Sequence, residues 1–273
     1  MAHVEIKQAS LQSNRPDHIA YLTFNRPEVS NAFNGEMMAE IIGHLQQLQT
    51  TQDCRALVIR AKGKHFSAGA DLAWMKQSAS LTYEQNLAEA EKLSSLFSSL
   101  SHLPFPTFAV VHGSTFGGAL GVVACCDWAV ALKNSRFCLS EVKLGLLPAV
   151  ILPYLCQRMP PGPLRRYALT ARVFGAEEAQ AAGLIQCIVD ETELDAFLKE
   201  ELNQVLLGSP VAQKIFKREH QKMSGAKDFT REMIQTIADA RASENGQEGL
   251  QSFLNRSTPS WVLKLPDDFS GGN

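Results

Sequence analysis

The chain has 273 residues, 26 of them Lys or Arg and 28 Asp or Glu, for a formal charge of −2. That near-neutral balance leaves no basic field of the kind nucleic acid or an anionic membrane requires, and 45% hydrophobic residues suits a globular chain with a sizeable core. The opening MAHVEIKQAS has neither the basic start nor the apolar stretch of a secretory signal. No apolar run approaches the roughly 18 residues of a membrane span, so a cytoplasmic protein is expected. Six cysteines, at 54, 125, 126, 138, 156 and 187, form no CxxC pair, sit mostly in apolar surroundings and read as reduced, buried small hydrophobes.

VEIKQAS and HIAYLTF, separated by a stretch with the turn-rich SNRPD, predict a strand pair joined by more than a tight hairpin. NRPEVSNAFN follows as a loop and cap, then a helix from about Gly35 to Gln49 with Met38, Ile41, Ile42 and Leu45 at helical spacing. The β-branched RALVIRA (55–61) predicts a buried strand. After the loop KGKHFSAGAD come a helical DLAWMKQS and an amphipathic helix over about 82–101 that stops before LPFP. TFAVVH is again an apolar strand, followed by a glycine turn, a helical GALGVVACC and the strand WAVAL, with RFCLSEVKLGLLP closing this part. Repeated strand, glycine-rich turn and helix imply an α/β fold with buried, largely parallel strands. From about residue 160 the chain is mostly helix-forming, with LIQCIV (184–189) as the exception. An α/β core over 1–195 and a helical C-terminal region over 196–273 are therefore expected, the final DDFSGGN fraying.

Two turns, SAGAD (67–71) and TFGGA (115–119), each follow a buried strand and precede a helix. N–H groups at helix starts have no intrahelical acceptor and favour a partner carrying negative charge, so two converging turns would make an oxyanion hole. Small residues also serve simply to let a strand cross tightly into a helix, and both readings stand at this point. A dinucleotide fingerprint is excluded because the order is GGxxG deep in the chain, and a P-loop because no GK[ST] follows.

LTFNRPEVSNAF, HFSAGADLAWM, VHGSTFGGALGVVACCD and SRFCLSEVKLGLLP, in this order and spacing, resemble the successive signatures of the enoyl-CoA hydratase/isomerase (crotonase) family over about residues 4 to 260. GADLAWMKQSASLTYEQNL, FCLSEVKLGLLPAVI and ENGQEGLQSFL are similar, within it, to hydratases of branched glutaconyl-CoA thioesters of the isohexenylglutaconyl and 3-methylglutaconyl type, which serve acyclic terpene and leucine breakdown. The resemblance implies a crotonase-like spiral of ββα units with a helical C-terminal region, assembled as a homotrimer or a dimer of trimers with helices crossing between subunits. It implies an acyl-CoA substrate, coenzyme A being part of the thioester, and no separate cofactor or metal. It places the oxyanion N–H groups on Ala70 and Gly118, with Gly69 and Gly117 beside them. CoA contacts fall on Val29, Ala32, Ala68, Asp71 and Leu72, and Gly121 is counted with the site because it occupies a family glutamate position.

Moving a proton at Cα while charge builds on the thioester oxygen suits a carboxyl group in an apolar cleft, where desolvation lifts its pKa toward the working pH. Glu141, flanked by apolar residues at the family's second glutamate position, is the candidate acid/base; a solvent-facing or helix-capping acid is the plain alternative. Two-glutamate hydratases carry their other glutamate where this chain has Gly121. One carboxylate suffices to shuttle a proton between Cα and Cγ, so an enoyl-CoA isomerase stands beside the hydratase, and a non-catalytic CoA-ester binding protein beside both. Lys76 and Lys143 are candidates to hold a distal carboxylate, and Trp74 and Tyr154 to line the acyl pocket. His65 and His112, each beside a turn, are given no role.

Overall fold

The computed structural model describes residues 2–11, 17–78, 80–223 and 230–259. In chain order its strands are β1 (Val4–Ser10), β2 (His18–Phe24), β3 (Cys54–Ala61), β4 (Thr107–Val111), β5 (Ser114–Phe116), β6 (Trp128–Leu132), β7 (Arg136–Cys138), β8 (Phe174–Gly175) and β9 (Cys187–Val189). The large sheet runs β1-β2-β3-β4-β6-β9, with β1 antiparallel to β2 and the other neighbours parallel. A smaller sheet runs β5-β7-β8. After β4 and again after β6 the chain crosses from the large sheet into the small one, which is the two-strand step of a ββα spiral. Isolated bridges from Phe33 to Ala70 and from Ser67 to Thr115 extend the small layer toward earlier turns of the winding.

The period-two alternation of the strands decides which core each side chain joins. On β3, Leu57 and Ile59 enter one apolar cluster while Ala56 and Val58 enter the other. On the first face lie α1 (Gly35–Thr50), α2 (Leu72–Ser78), α3 (Tyr83–Ser101) and α4 (Ala119–Cys125), whose Met37, Phe97 and Leu120 are fully buried. Asn34 Oδ1 accepts from the Met37 N–H (2.8 Å) to start α1, and Thr82 and Gln85 close a reciprocal capping box that starts α3. Further along come α5 (Leu152–Arg158), α6 (Pro161–Thr170), α7 (Ala176–Ala181) and α8 (Leu194–Leu207), whose Leu202 and Val205 cover the second face. Both faces being covered explains why the strands read as continuous apolar runs. Of the C-terminal α9 (Pro210–Met223), α10 (Thr230–Ala242) and α11 (Glu244–Leu254), α10 packs on α3 and α11 on α2.

The expected strands and helices of the first 132 residues are present within a residue or two of their predicted ends. The strand expected over LIQCIV contracts to Cys187–Val189, because Leu184 and Ile185 are spent on the core before the chain joins the ladder. The strands of the small sheet, two or three residues each, and the helices α5 and α11 were not anticipated. Such short strands carry no period of their own, and the neighbouring turns alone bring them into register. DDFSGGN lies outside the described residues. Among the described residues no helix is long and apolar enough to cross a membrane, and no group of three His, Cys, Asp or Glu is placed to hold a metal ion.

Candidate active site

The small layer brings the two glycine turns together. Ser67 bridges Thr115 in parallel, so the residues that follow each advance side by side: Gly69 with Gly117, and Ala70 with Gly118. The approach is tight at Gly69 and leaves ordinary contact distance at Gly117, where the left-handed φ rather than lack of space favours glycine. A Cβ on Gly69 (φ +96°) would stand 3.1 Å from the Phe116 carbonyl oxygen, and one on Gly117 (φ +54°) would lie 4.0 Å from the Gly69 Cα. The Ser67 hydroxyl accepts from the Gly69 N–H (3.2 Å), and the Gly117 N–H donates to the Cys138 carbonyl (2.9 Å).

Ala70 sits between two ladder bonds, Phe33 N–H to the Gly69 carbonyl (2.7 Å) and Asp71 N–H to the Phe33 carbonyl (2.9 Å), so its own N–H points away from that segment. Among the described residues neither the Ala70 nor the Gly118 N–H is paired with a protein acceptor. Both residues line one cleft of about 370 Å³ whose walls are mostly apolar.

The third strand of this convergence carries the acid. β7 pairs with β5 in parallel, Phe116 opposite Cys138, and the chain then turns through a short 3-10 segment, Glu141–Leu144, ending on a left-handed Gly145. Glu141 Oε1 lies 3.6 Å from where a Gly117 Cβ would be. The residue as a whole is only partly covered, but its Oε2 is buried without a hydrogen-bond partner among the described residues. Burial pushes its pKa up from 4.5 to about 7, against a smaller lowering from its own backbone N–H. A helix-capping carboxylate would be lowered and a solvent-facing one left at its ordinary value, whereas burial raises that of Glu141.

The other predicted residues are distributed as follows. Ala68, Gly69 and Gly117 line the cleft. Val29 and Leu72 are exposed, 40% and 59%, on the surface beside the first turn, whereas Ala32 is buried and its carbonyl accepts from Arg26 Nη1. Asp71 differs from the expectation of a CoA contact: it is buried, one oxygen accepting from Arg26 (2.9 Å) and the other from the Ala73 and Trp74 N–H groups that begin α2. Burial raises its pKa, but Arg26 and the two N–H groups outweigh that and hold it below the usual carboxylate range. The residue caps a helix and ties two loops together, a role its motif position did not reveal.

Gly121 also departs from expectation, since it does not line the cleft. It faces the interior, where a Cβ would stand 2.3 Å from Ile151 Cγ2 and 2.6 Å from Phe97 Cε1. The space a glutamate would use is filled by these two side chains. Trp74 and Lys143 line the cleft, while Lys76 belongs to a separate shallow depression and Tyr154 packs on Phe97 with ring centres 6.1 Å apart. His65 Nδ1 accepts from the Ser114 N–H (3.0 Å), with its pKa lowered first by burial, and His112 Nε2 contacts the Gly63 carbonyl (3.0 Å); both hold loops. The cysteines are unpaired and mostly buried, Cys126 pushed up to about 12 by burial, but Cys156 is exposed, against expectation.

Sequence reading missed the contribution of the last helices. Ile237 and Arg241 of α10 and Leu250 and Phe253 of α11 close the cleft across nearly a hundred residues of chain. Arg241 is 13% exposed in its side chain, and its Nη1 is buried without a hydrogen-bond partner among the described residues, 3.9 Å from Glu89 Oε2. An arginine in an amphipathic helix gives no sequence signal of burial; only the packing of α10 on α3 creates it.

Comparison with known proteins yields a consistent set. The sequence model of one family, described as enoyl-CoA hydratase/isomerase, matches residues 14–264. A short-chain-enoyl-CoA hydratase of Clostridium acetobutylicum is 31% identical over 73% of this chain and 76% of its own length. A crotonyl-CoA hydratase of Syntrophomonas wolfei is 27% identical over 92% of this chain and 96% of its own. Among solved structures, an enoyl-CoA hydratase from Shewanella pealeana superposes with a TM-score of 0.77 at 38% identity, covering 95% of this chain and 96% of that one.

Proposed function

Because the chain belongs to the enoyl-CoA hydratase/isomerase family, we propose that it is a hydro-lyase adding water across the α,β double bond of a branched glutaconyl-CoA thioester, isohexenylglutaconyl-CoA or 3-methylglutaconyl-CoA. The observation that carries the reading is the Glu141 carboxyl, desolvated to a pKa of about 7 beside two turns whose Ala70 and Gly118 N–H groups have no protein acceptor among the described residues. Relatives named as enoyl-CoA hydratases support the reaction class. The motif strings support the branched glutaconyl acyl group.

In this mechanism the two N–H groups donate to the thioester oxygen as negative charge builds there. Glu141 in its carboxylate form takes a proton from water as the oxygen bonds to Cβ, and the displaced π electrons move onto the thioester oxygen. The enolate then collapses and takes the same proton from Glu141 at Cα. Water is thus added as hydroxyl and hydrogen with no net change at the enzyme, and one carboxylate performs both transfers. Residues 1–195 hold the thioester, and 196–273 act as lid and in assembly, a division supported by Ile237, Arg241, Leu250 and Phe253 on the cleft wall.

A second reading is favoured by one specific observation. With Phe97 and Ile151 filling the place of a second glutamate, a single carboxylate also suits a Δ3,Δ2-enoyl-CoA isomerase, Glu141 moving a proton between Cα and Cγ. The purified protein incubated with both glutaconyl thioesters in ¹⁸O-labelled water decides between them. A mass gain of one labelled water is expected, and the faster substrate identifies the acyl chain. No gain on either, with a double-bond shift on a 3-enoyl-CoA, would establish the isomerase.

A further inference from the structure

The cleft holds a cation that the chemistry at Glu141 does not use. Arg241 reaches a wall formed by α2, α3 and α10, among Trp74, Met75, Ser78, Leu93 and Ile237. Its guanidinium carbon stands 5.8 Å from the centre of the Trp74 ring. The nearest carboxylate, Glu89, is already engaged: Oε2 accepts from the Ser78 hydroxyl at 2.8 Å and Oε1 from Trp74 Nε1 at 3.2 Å. Arg241 Nη1 is left 3.9 Å from Glu89 Oε2, an ion pair too long for a hydrogen bond, and is buried with no hydrogen-bond partner among the described residues.

A buried guanidinium cannot shed its charge, and a buried donor without an acceptor is costly. Burial does press its pKa down, with Glu89 opposing, yet the group remains a cation. A loosely held guanidinium on the wall of a substrate cleft is well suited to a carboxylate that brings two acceptor oxygens in one plane. We propose that Arg241 receives the terminal carboxylate of the acyl group and so selects dicarboxylic acyl thioesters over neutral ones of similar length, Glu89 holding the arginine in place until the substrate arrives. The proposal rests on the acyl-CoA reading above and adds to it the residue that determines specificity. A purely structural Arg241, tying α10 to α3, would affect stability without affecting this selectivity.

The test uses two unreactive thioesters, glutaryl-CoA and butyryl-CoA, titrated calorimetrically into the intact protein. Wild type is expected to bind glutaryl-CoA about 10- to 100-fold more tightly, the range of a hydrogen bond to a charged group. Arg241→Gln should abolish the preference and Arg241→Lys keep part of it. Glu89→Gln, by removing the competing anion, should widen it. Lys199→Gln, altering an exposed cation away from the cleft, should leave it within about twofold, well inside a charged hydrogen bond's range. Equal binding of the two esters by wild type, or an undiminished preference in Arg241→Gln, would overturn the proposal. Failure of both esters to bind would overturn it together with the acyl-CoA reading. A preference that disappears in Arg241→Gln, in a protein that neither hydrates nor isomerises, would leave the proposal standing and remove only the reaction assigned to Glu141.

Discussion

Glu141 sets opposing demands on stability and activity. Its pKa is raised from 4.5 to about 7 in the folded chain, so between those values the unfolded state ionises first and stability falls as pH rises, the full cost being present above pH 7. Glu141→Gln is therefore expected to resist urea better than wild type at pH 8, by up to about 3 kcal/mol, with the difference vanishing near pH 4 where both states are protonated. The same substitution should lower kcat by about 10²- to 10⁴-fold, and wild-type kcat/KM should rise with pH through a midpoint near 7 as the carboxylate forms. A variant that kept more than a few per cent of turnover, roughly the loss expected of an acid/base, would remove Glu141 from the mechanism. Gly117 is the companion case. An alanine there must adopt φ +54° and put its methyl 3.6 Å from Glu141 Oε1. A loss of about 1–2 kcal/mol in urea stability is expected from the backbone alone, with a fall in kcat beyond what that loss explains.

At the scale of the element, α4 illustrates how packing constrains chemistry. Its Gly121 lets Phe97 of α3 and Ile151, just before α5, press against the helix backbone, closing the space in which a second carboxylate would stand. Gly121→Ala should cost about 1–3 kcal/mol by overpacking, read as a lower urea midpoint. Gly121→Glu should fold poorly and gain no hydration; a stable Gly121→Glu variant with faster hydration would mean that the cavity is more adaptable than its packing indicates. The sequence announces the glycine but not what leans on it. Phe97 and Ile151 lie 24 residues before and 30 after Gly121, and no local pattern pairs them. Local pattern did specify the long elements. Met38, Ile41 and Leu45 at helical spacing mark the buried face of α1, and the alternating Ala56, Leu57, Val58 and Ile59 mark a strand covered on both sides.

For the whole molecule, the question is what covers α9. Lys217 anchors this helix inward, donating to Asp127 (2.6 Å) and to the Phe105 carbonyl (2.8 Å), while Val211, Phe216 and the preceding Leu207 stand 65%, 68% and 81% exposed. Apolar side chains so exposed on an anchored helix suit a subunit interface, and the family resemblance implies a homotrimer or a dimer of trimers. Light scattering on the eluting protein should give three or six times 30.0 kDa, and the double variant Val211→Glu, Phe216→Glu should shift the mass toward the single chain. An oligomer that survives the double variant would place the interface on another face.

The sequence by itself determined the order of the long strands and helices and the two small-residue turns, because these depend on local periodicity, φ preference and side-chain size, while the family resemblance singled out Glu141. The family motifs gave the likeness to enoyl-CoA hydratases. Only the tertiary structure decided that Ala70 and Gly118 advance side by side, since that follows from the register of Ser67 with Thr115 across a sheet of very short strands. It alone decided that Asp71 is consumed by Arg26 and a helix start, that Gly121 looks into the core, and that Arg241 reaches the cleft. Each of those outcomes depends on what lies opposite a residue rather than beside it, and burial and pairing across long stretches of chain leave no trace in local order.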